Sequence, residues 1–161
     1  MRLEIPKLSS SRPLALALLL SLVGCVGPSA GSEPLPLGSR STFVAAVQPV
    51  LELRCASGGC HGLEERPLSF FAPGMNRLDA EMLHMDRPML ERELLSNAEA
   101  LAAFALEPDP RDSLALCKPL GMESGGCYHG GGEIFSDETD PGYRAILAWL
   151  REAETEVGGW R

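Results

Sequence analysis

Basic and aromatic side chains are scarce in this chain of 161 residues. It has 14 Lys and Arg against 22 Asp and Glu, which gives a formal net charge of −8. Because a phosphate-binding surface needs clustered basic side chains, this balance argues against a nucleic-acid partner. Aromatic residues make up only 6% of the sequence, whereas there are 17 Gly and 13 Pro. This composition predicts a loop-rich domain with short helices and little sheet.

The sequence also lacks an apolar run that could cross a membrane. Residues 14–23 form an apolar run of ten, whereas a spanning helix needs about 20 residues. The run follows three basic residues, as in an export signal. It ends in Leu22-Val23-Gly24-Cys25, which resembles a bacterial lipobox. We therefore expect a lipoprotein signal peptide at 1–24 and a lipid on Cys25; the other interpretation is an ordinary secretory signal with a chance cysteine.

A flexible tether should separate the lipid from the folded part. Residues 26–39 are rich in Gly, Pro and Ser and show no periodicity, which predicts a tether at 25–40 and a domain at 41–157. Val26, and not an aspartate, follows the lipobox cysteine. By resemblance to the enterobacterial sorting pattern, this favours an outer-membrane anchor, with the domain in the periplasm of a bacterial cell envelope.

Three longer helices follow from the spacing of apolar residues. The first is predicted at 43–54, where Pro49 either kinks or restarts it, and it runs directly into Cys55. The second is predicted at roughly 88–106 and the last at about 141–156. The intervening stretches are long and rich in glycine. The predicted fold is therefore a small, mainly α domain with long Gly-rich loops.

Histidines are few, since the chain has only three. His61 directly follows Cys60 in the stretch Cys55-Ala56-Ser57-Gly58-Gly59-Cys60-His61. Haem c is held by thioether bonds from two cysteines, and the histidine after the second cysteine ligates the iron. The usual spacing has two residues between the cysteines, whereas four lie here, and Gly58 and Gly59 accept the backbone angles of a longer bulge. The other interpretation of Cys55 and Cys60 is a structural disulfide.

A second glycine-rich loop holds further candidates. His129 precedes three glycines, which let the backbone approach a large flat group, so its imidazole could be the second axial ligand of the iron. Met122 in the same loop is the alternative ligand, and a loop histidine bonded only to the backbone is the third interpretation. Cys117 and Cys127 bracket the loop, and an even number of cysteines in an exported chain favours a disulfide between them.

Both loops belong to stretches that resemble a known family. The run FVAAVQPVLELRCASGGCHG is similar to the opening of single-haem cytochrome c domains found on bacterial envelope proteins. The stretches SLALCKPLG, HGGGEIF and AILAWLREA resemble the closing part of a planctomycete-type subgroup of these domains. The resemblance covers about 43–153 and leaves the middle unaligned. It implies a cytochrome c-like helical fold with one covalent haem c held by Cys55, Cys60, His61 and His129.

These observations lead to the hypothesis of a membrane-tethered c-type cytochrome domain. It would pass single electrons to or from a partner protein that the residues do not identify. Iron with two axial ligands exchanges ligands poorly, so an electron carrier is favoured over an enzyme.

Three other functions stay open at this stage. The chain could be a haem-free lipoprotein that acts as a binding or structural module, with disulfides at Cys55–Cys60 and Cys117–Cys127. A peroxidase-like enzyme would need an open distal site with a nearby base or arginine. A zinc site would need four ligands in tetrahedral reach, which on paper are the four side chains Cys55, Cys60, His61 and His129.

Overall fold

Helices provide the regular structure of the residues that the computed structural model describes, which are 34–84, 87–155 and 160. The predicted signal peptide at 1–24 and the lipidation site Cys25 lie outside these residues. Within them, the only β-pairing is an isolated bridge between Leu120 and Phe135. The mainly α class is therefore confirmed. The helices are α1 (40–55), α2 (Glu91–Ala102), α3 (Leu114–Cys117) and α4 (Pro141–Thr155), and 3₁₀ turns lie at Ala80–Met82, Pro110–Asp112 and Met122–Ser124.

Helix α1 continues through Pro49 because its turns widen. π-Helical turns at Phe43–Val47 and Leu51–Cys55 flank a short α-helical segment at Gln48–Val50. Proline has no N–H to donate, and its ring collides with the carbonyl four residues earlier in a regular α-helix. Wider turns relieve such a conflict without ending the helix. As predicted, α1 therefore runs directly into Cys55.

The N-terminal boundary of the folded part differs from the predicted tether. Leu35 and Leu37 pack against the hydrophobic core, and the indole Nε1 of Trp149 donates a hydrogen bond to the carbonyl of Ser39 at 3.2 Å. The predicted tether extended to residue 40 because Gly, Pro and Ser dominate this stretch. The partial burial of its two leucines against the core offsets the entropic cost of ordering the stretch.

Helix α4 supplies much of the core. Tyr143, Ile146, Leu147 and Leu150 are buried, as their helical spacing predicted. Helix α2 is shorter than the predicted 88–106, since Leu90 is extended and caps its start. In the part of the chain that the structure describes, no helix combines the length and apolarity needed to cross a bilayer.

A buried asparagine ties the segment after the first loop to helices α1 and α2. Asn97 of α2 accepts a hydrogen bond from the N–H of Phe71 and donates one to the carbonyl of the same residue, both at 2.8 Å. It also donates to the side chain of Gln48 on α1 at 3.0 Å. Because buried polar groups are costly without partners, this set of bonds places the backbone at Phe71 in one position.

A buried ion pair holds the next part of the same segment. The side chains of Arg77 and Glu93 are fully buried and approach to 2.9 Å. Glu93 also accepts hydrogen bonds from the N–H groups of Leu78 and Leu90. Burial acts to raise the pKa of Glu93, but these hydrogen bonds, the largest from Arg77, outweigh it and hold the pKa below its ordinary value.

Substituting Arg77 by methionine should destabilise the protein, because it leaves the Glu93 carboxylate buried without its cation. Removing one partner of a buried pair costs about 3–5 kcal/mol, which urea unfolding at pH 7 would measure. Because the pKa of Glu93 is lowered on folding, its stabilising contribution is present above the ordinary carboxyl pKa and is lost as the pH falls through the folded value.

The matched control is Arg40→Met, which breaks the exposed Arg40–Glu91 pair and should leave the unfolding free energy nearly unchanged. Equal stabilities of the two variants at pH 7 would contradict the assignment of the Arg77–Glu93 pair.

Candidate functional site

The first loop begins at Cys55, where α1 ends, and folds back on itself so that His61 contacts the end of that helix. The N–H of His61 donates to the carbonyl of Cys55 at 2.9 Å, and the N–H of Gly62 donates to the carbonyl of Ser57 at 3.0 Å. These bonds close the stretch between the two cysteines into a compact turn.

The glycine that this turn requires differs from the sequence expectation. Neither Gly58 nor Gly59 has a positive φ, and a Cβ at either residue would meet no atom within 4 Å. At Gly62, in contrast, a Cβ would lie 2.1 Å from the carbonyl oxygen of Ala56. The close approach of two backbone segments therefore constrains residue 62, and not the residues between the cysteines.

The imidazole of His61 is oriented by the segment that follows it. Its Nδ1 lies 2.8 Å from the carbonyl oxygen of Leu68, and the N–H of Phe70 donates to the carbonyl of His61 at 2.7 Å. Because a carbonyl only accepts hydrogen bonds, Nδ1 carries the proton in the neutral ring. The lone pair is then on Nε2, which is available to a metal.

The second loop is closed at both ends. Cys117 and Cys127 form a disulfide with a Cα–Cα distance of 5.2 Å, which confirms the predicted pairing. The N–H groups of Ile134 and Phe135 both donate to the carbonyl of Pro119 at 2.9 Å. The loop between these closures is thereby held against α3.

The imidazole of His129 is held in the same way as that of His61. Its Nδ1 lies 2.8 Å from the carbonyl oxygen of Gly132, and the N–H of Gly132 donates back to the carbonyl of His129 at 3.0 Å. Gly132 has a φ of 83°, a backbone conformation that favours glycine. The tight turn thus leaves Nε2 of His129 with the lone pair as well.

The fold brings the two imidazoles together. The ring centroids of His61 and His129 are 6.0 Å apart, and the ring planes differ by only 5°. The two residues are 68 positions apart in the chain and lie on different loops. Metal–imidazole bonds are about 2.0–2.1 Å long, so the distance between the two centroids matches that of two imidazoles bound to one metal ion.

Both rings line an apolar cavity of about 260 Å³. Cys55 and Cys60 line the same cavity and carry free thiols. Burial, together with the neighbouring Cys60, raises the pKa of the Cys55 thiol to about 12, so this thiol is neutral at pH 7. The remaining lining is mostly aliphatic and aromatic and comes from all four helices and both loops, as in Leu51, Phe70, Leu101, Phe104, Ala115, Ile134, Phe135 and Ile146.

Other candidate residues lie elsewhere. Met122 is 60% exposed and does not line the cavity. His84 is exposed on the segment before α2. Among the described residues, no group of three or more His, Cys, Asp and Glu side chains is arranged to hold a metal ion. The arrangement therefore offers two imidazoles and two free thiols rather than a four-ligand zinc site.

Three buried polar residues that hold the segment after the first loop were not predicted from the sequence. Asn97, Gln48 and Glu93 are buried polar side chains, and they hold the segment whose Leu68 orients His61. Their signal in the sequence is weak, because a single Asn or Glu on an amphipathic helix usually faces solvent.

Comparisons with known proteins add no relative, since no protein-family model, curated protein or solved structure matches this chain.

Changing Gly62 to alanine should disrupt the first loop, because the added Cβ collides with backbone that the loop cannot move cheaply. We expect a loss of at least about 1–3 kcal/mol in unfolding free energy, measured by urea unfolding. Gly59→Ala is the matched control, since its Cβ enters open space and should leave stability nearly unchanged. Equal stabilities of both variants would show that the turn is not packed as described.

Proposed function

We propose that this chain is a c-type haem domain that carries single electrons in a bacterial cell envelope, tethered to the membrane through Cys25. Cys55 and Cys60 would bind one haem covalently, and His61 and His129 would be its two axial ligands. The observation that carries the proposal is the pair of parallel imidazoles on opposite loops of an apolar cavity that also holds two free thiols.

The residues present suit such a group. Thioether attachment adds each cysteine S–H across one vinyl group of the porphyrin, so it needs protonated or accessible thiols and no oxidant. The unbonded Cys55 and Cys60 meet this requirement. A haem bound here would supply a one-electron Fe(III)/Fe(II) couple. The mostly aliphatic and aromatic lining suits the faces of a porphyrin.

The chain's own residues would restrict this group to electron transfer. Leu68 and Gly132 hold the Nδ1 protons, which orient both rings and increase the basicity of each Nε2. Two imidazole ligands leave no open coordination position for a substrate, which favours a carrier over a catalyst. The resemblance of 43–62 and of the closing stretches to cytochrome c domains supports the same proposal. On that resemblance we also propose that the helices adopt a cytochrome c-like arrangement.

The alternatives receive less support. A haem-free scaffold stapled by two disulfides requires a Cys55–Cys60 bond, and both thiols are free. A peroxidase-like enzyme requires an open distal side, where His129 lies instead. Such an enzyme also requires a free arginine or base nearby, whereas Arg77 is buried against Glu93 and Arg54 is paired with Asp140.

Expression of the full chain in a host with haem c attachment machinery should yield a protein with a Soret band and a haem stain that survives denaturing electrophoresis. Cys55→Ala with Cys60→Ala should abolish the stain, because no thioether can form. Each single variant should keep one thioether and a red-shifted absorption band of the reduced haem. An intact chain without Soret band or stain in that host would rule out the proposal.

Replacing His129 with alanine should convert the iron from low-spin to high-spin, because one of its two ligands is lost. In the unmodified protein, parallel imidazole planes split the iron d orbitals strongly, so the oxidised form should give a rhombic low-spin electron paramagnetic resonance spectrum. Met122→Ala is the control and should leave the spectrum unchanged. A low-spin spectrum that survives loss of His129 but disappears with Met122 would refute the assigned ligand.

A further inference from the structure

The charged side chains that are described at the cavity wall are basic. They are Arg54, Arg66 and Lys118, and none of the described residues that line the cavity is an Asp or a Glu. The chain as a whole carries 22 acidic against 14 basic residues, so a random sample of its charges would be mostly acidic. Arg66 and Lys118 are exposed, which puts them where the cavity meets solvent.

The side chain of Arg54 already makes structural contacts with two other residues. Its Nη1 donates to Asp140 at 2.7 Å, and its guanidinium lies 5.3 Å from the ring centroid of Phe135. Asp140 in turn caps the start of α4 by accepting from the N–H of Gly142 at 2.7 Å. Arg54 thus joins the end of α1 to the start of α4, and its charge is balanced by a neighbouring carboxylate.

Arg66 and Lys118 are held only by backbone carbonyls. Arg66 Nη2 donates to the carbonyl of Gly59 at 3.3 Å, and Lys118 Nζ donates to the carbonyl of Tyr128 at 3.1 Å. Within the residues that the structure describes, neither has a carboxylate within ion-pair distance. An arginine has five N–H donors and a lysine three, so each retains donors for a ligand.

The two cations belong to the two loops that carry the imidazoles. The contact with Gly59 fixes Arg66 beside the loop of His61, and the contact with Tyr128 fixes Lys118 beside His129. A ligand that lies between the imidazoles therefore has a cation on each of the loops that enclose it. The cavity combines an apolar interior with positive charge at its opening, which suits an apolar plane that carries anionic groups on its edge.

We propose that Arg66 and Lys118 bind the two propionate carboxylates of the porphyrin and so select a dianionic porphyrin over a neutral one. This inference rests on the proposed function, since it assigns the polar end of the same ligand. The side chains would form charge-assisted hydrogen bonds with the carboxylates, whereas Arg54 would act only as a positioning residue.

The test uses the full chain with Cys55→Ala and Cys60→Ala, in which porphyrin binding is reversible. Titrations with iron protoporphyrin IX and with its dimethyl ester, followed in the Soret band, give an affinity ratio of acid to ester. Arg66→Gln and Lys118→Gln are compared singly and together in this background. Arg92→Gln is the control, because Arg92 is exposed on α2 and does not line the cavity.

Each cation removed should lower the acid-to-ester ratio by about three- to tenfold, a range set by exposed and charge-assisted bonds. Arg92→Gln should leave the ratio unchanged, and Lys118→Arg should largely retain it. A ratio that is the same in all variants, while the low-spin spectrum still forms, would overturn the role of Arg66 and Lys118 and leave the proposed function intact.

Failure of the proposed function has a different signature. In that case neither porphyrin would give a low-spin spectrum, in this background or in the unmodified chain, and the inference would fall with it. Because Arg66 and Lys118 are exposed and each makes one backbone hydrogen bond, their substitution should not affect folding. Thermal unfolding of each variant, followed by circular dichroism, checks this directly.

Discussion

The site depends on one repeated interaction, in which a backbone carbonyl holds the Nδ1 of a histidine. Leu68 does this for His61 and Gly132 does it for His129, each at 2.8 Å. A free imidazole on a loop rotates about two side-chain torsions and can present either nitrogen. The carbonyl restricts the ring to one tautomer and one orientation, and two such rings come within 6.0 Å with nearly parallel planes. Without these bonds the cavity would have apolar walls but no defined pair of imidazoles.

The carbonyl that holds His61 is itself fixed from a distance. Asn97 on α2 binds both backbone groups of Phe71, and the chain between Leu68 and Phe71 spans only a few residues. The buried pair of Arg77 and Glu93 holds the other end of the same segment. Buried polar groups of this kind gain little net free energy but strongly disfavour other arrangements, because any shift leaves them without partners. The orientation of His61 therefore depends on α2, a helix that contains none of the candidate ligands.

The charge of the residues that line the cavity differs from that of the whole chain. The chain is acidic overall, yet the lining residues in the described ranges include three Arg or Lys and no Asp or Glu. Arg54 is balanced by Asp140 and serves the junction between α1 and α4. Arg66 and Lys118 keep donors at the opening of the cavity, where they are positioned by one carbonyl on each loop. In the proposed haem domain, the positive opening would select ligands by their charge and the apolar interior would select them by their shape.

Much of the local structure could be predicted from the sequence, since helical spacing and cysteine spacing are properties of neighbouring residues. Helix α4, the apolar positions on it, the Cys117–Cys127 pair and the run of α1 into Cys55 are of this kind. The choice between His129 and Met122 as the residue at the cavity is not, because both lie in one glycine-rich loop without periodicity. The tertiary structure decided it, since His129 lines the cavity and Met122 is 60% exposed. It likewise decided that Leu35 and Leu37 join the core and that Gly62 is the constrained glycine, since both depend on contacts with backbone or side chains elsewhere in the fold.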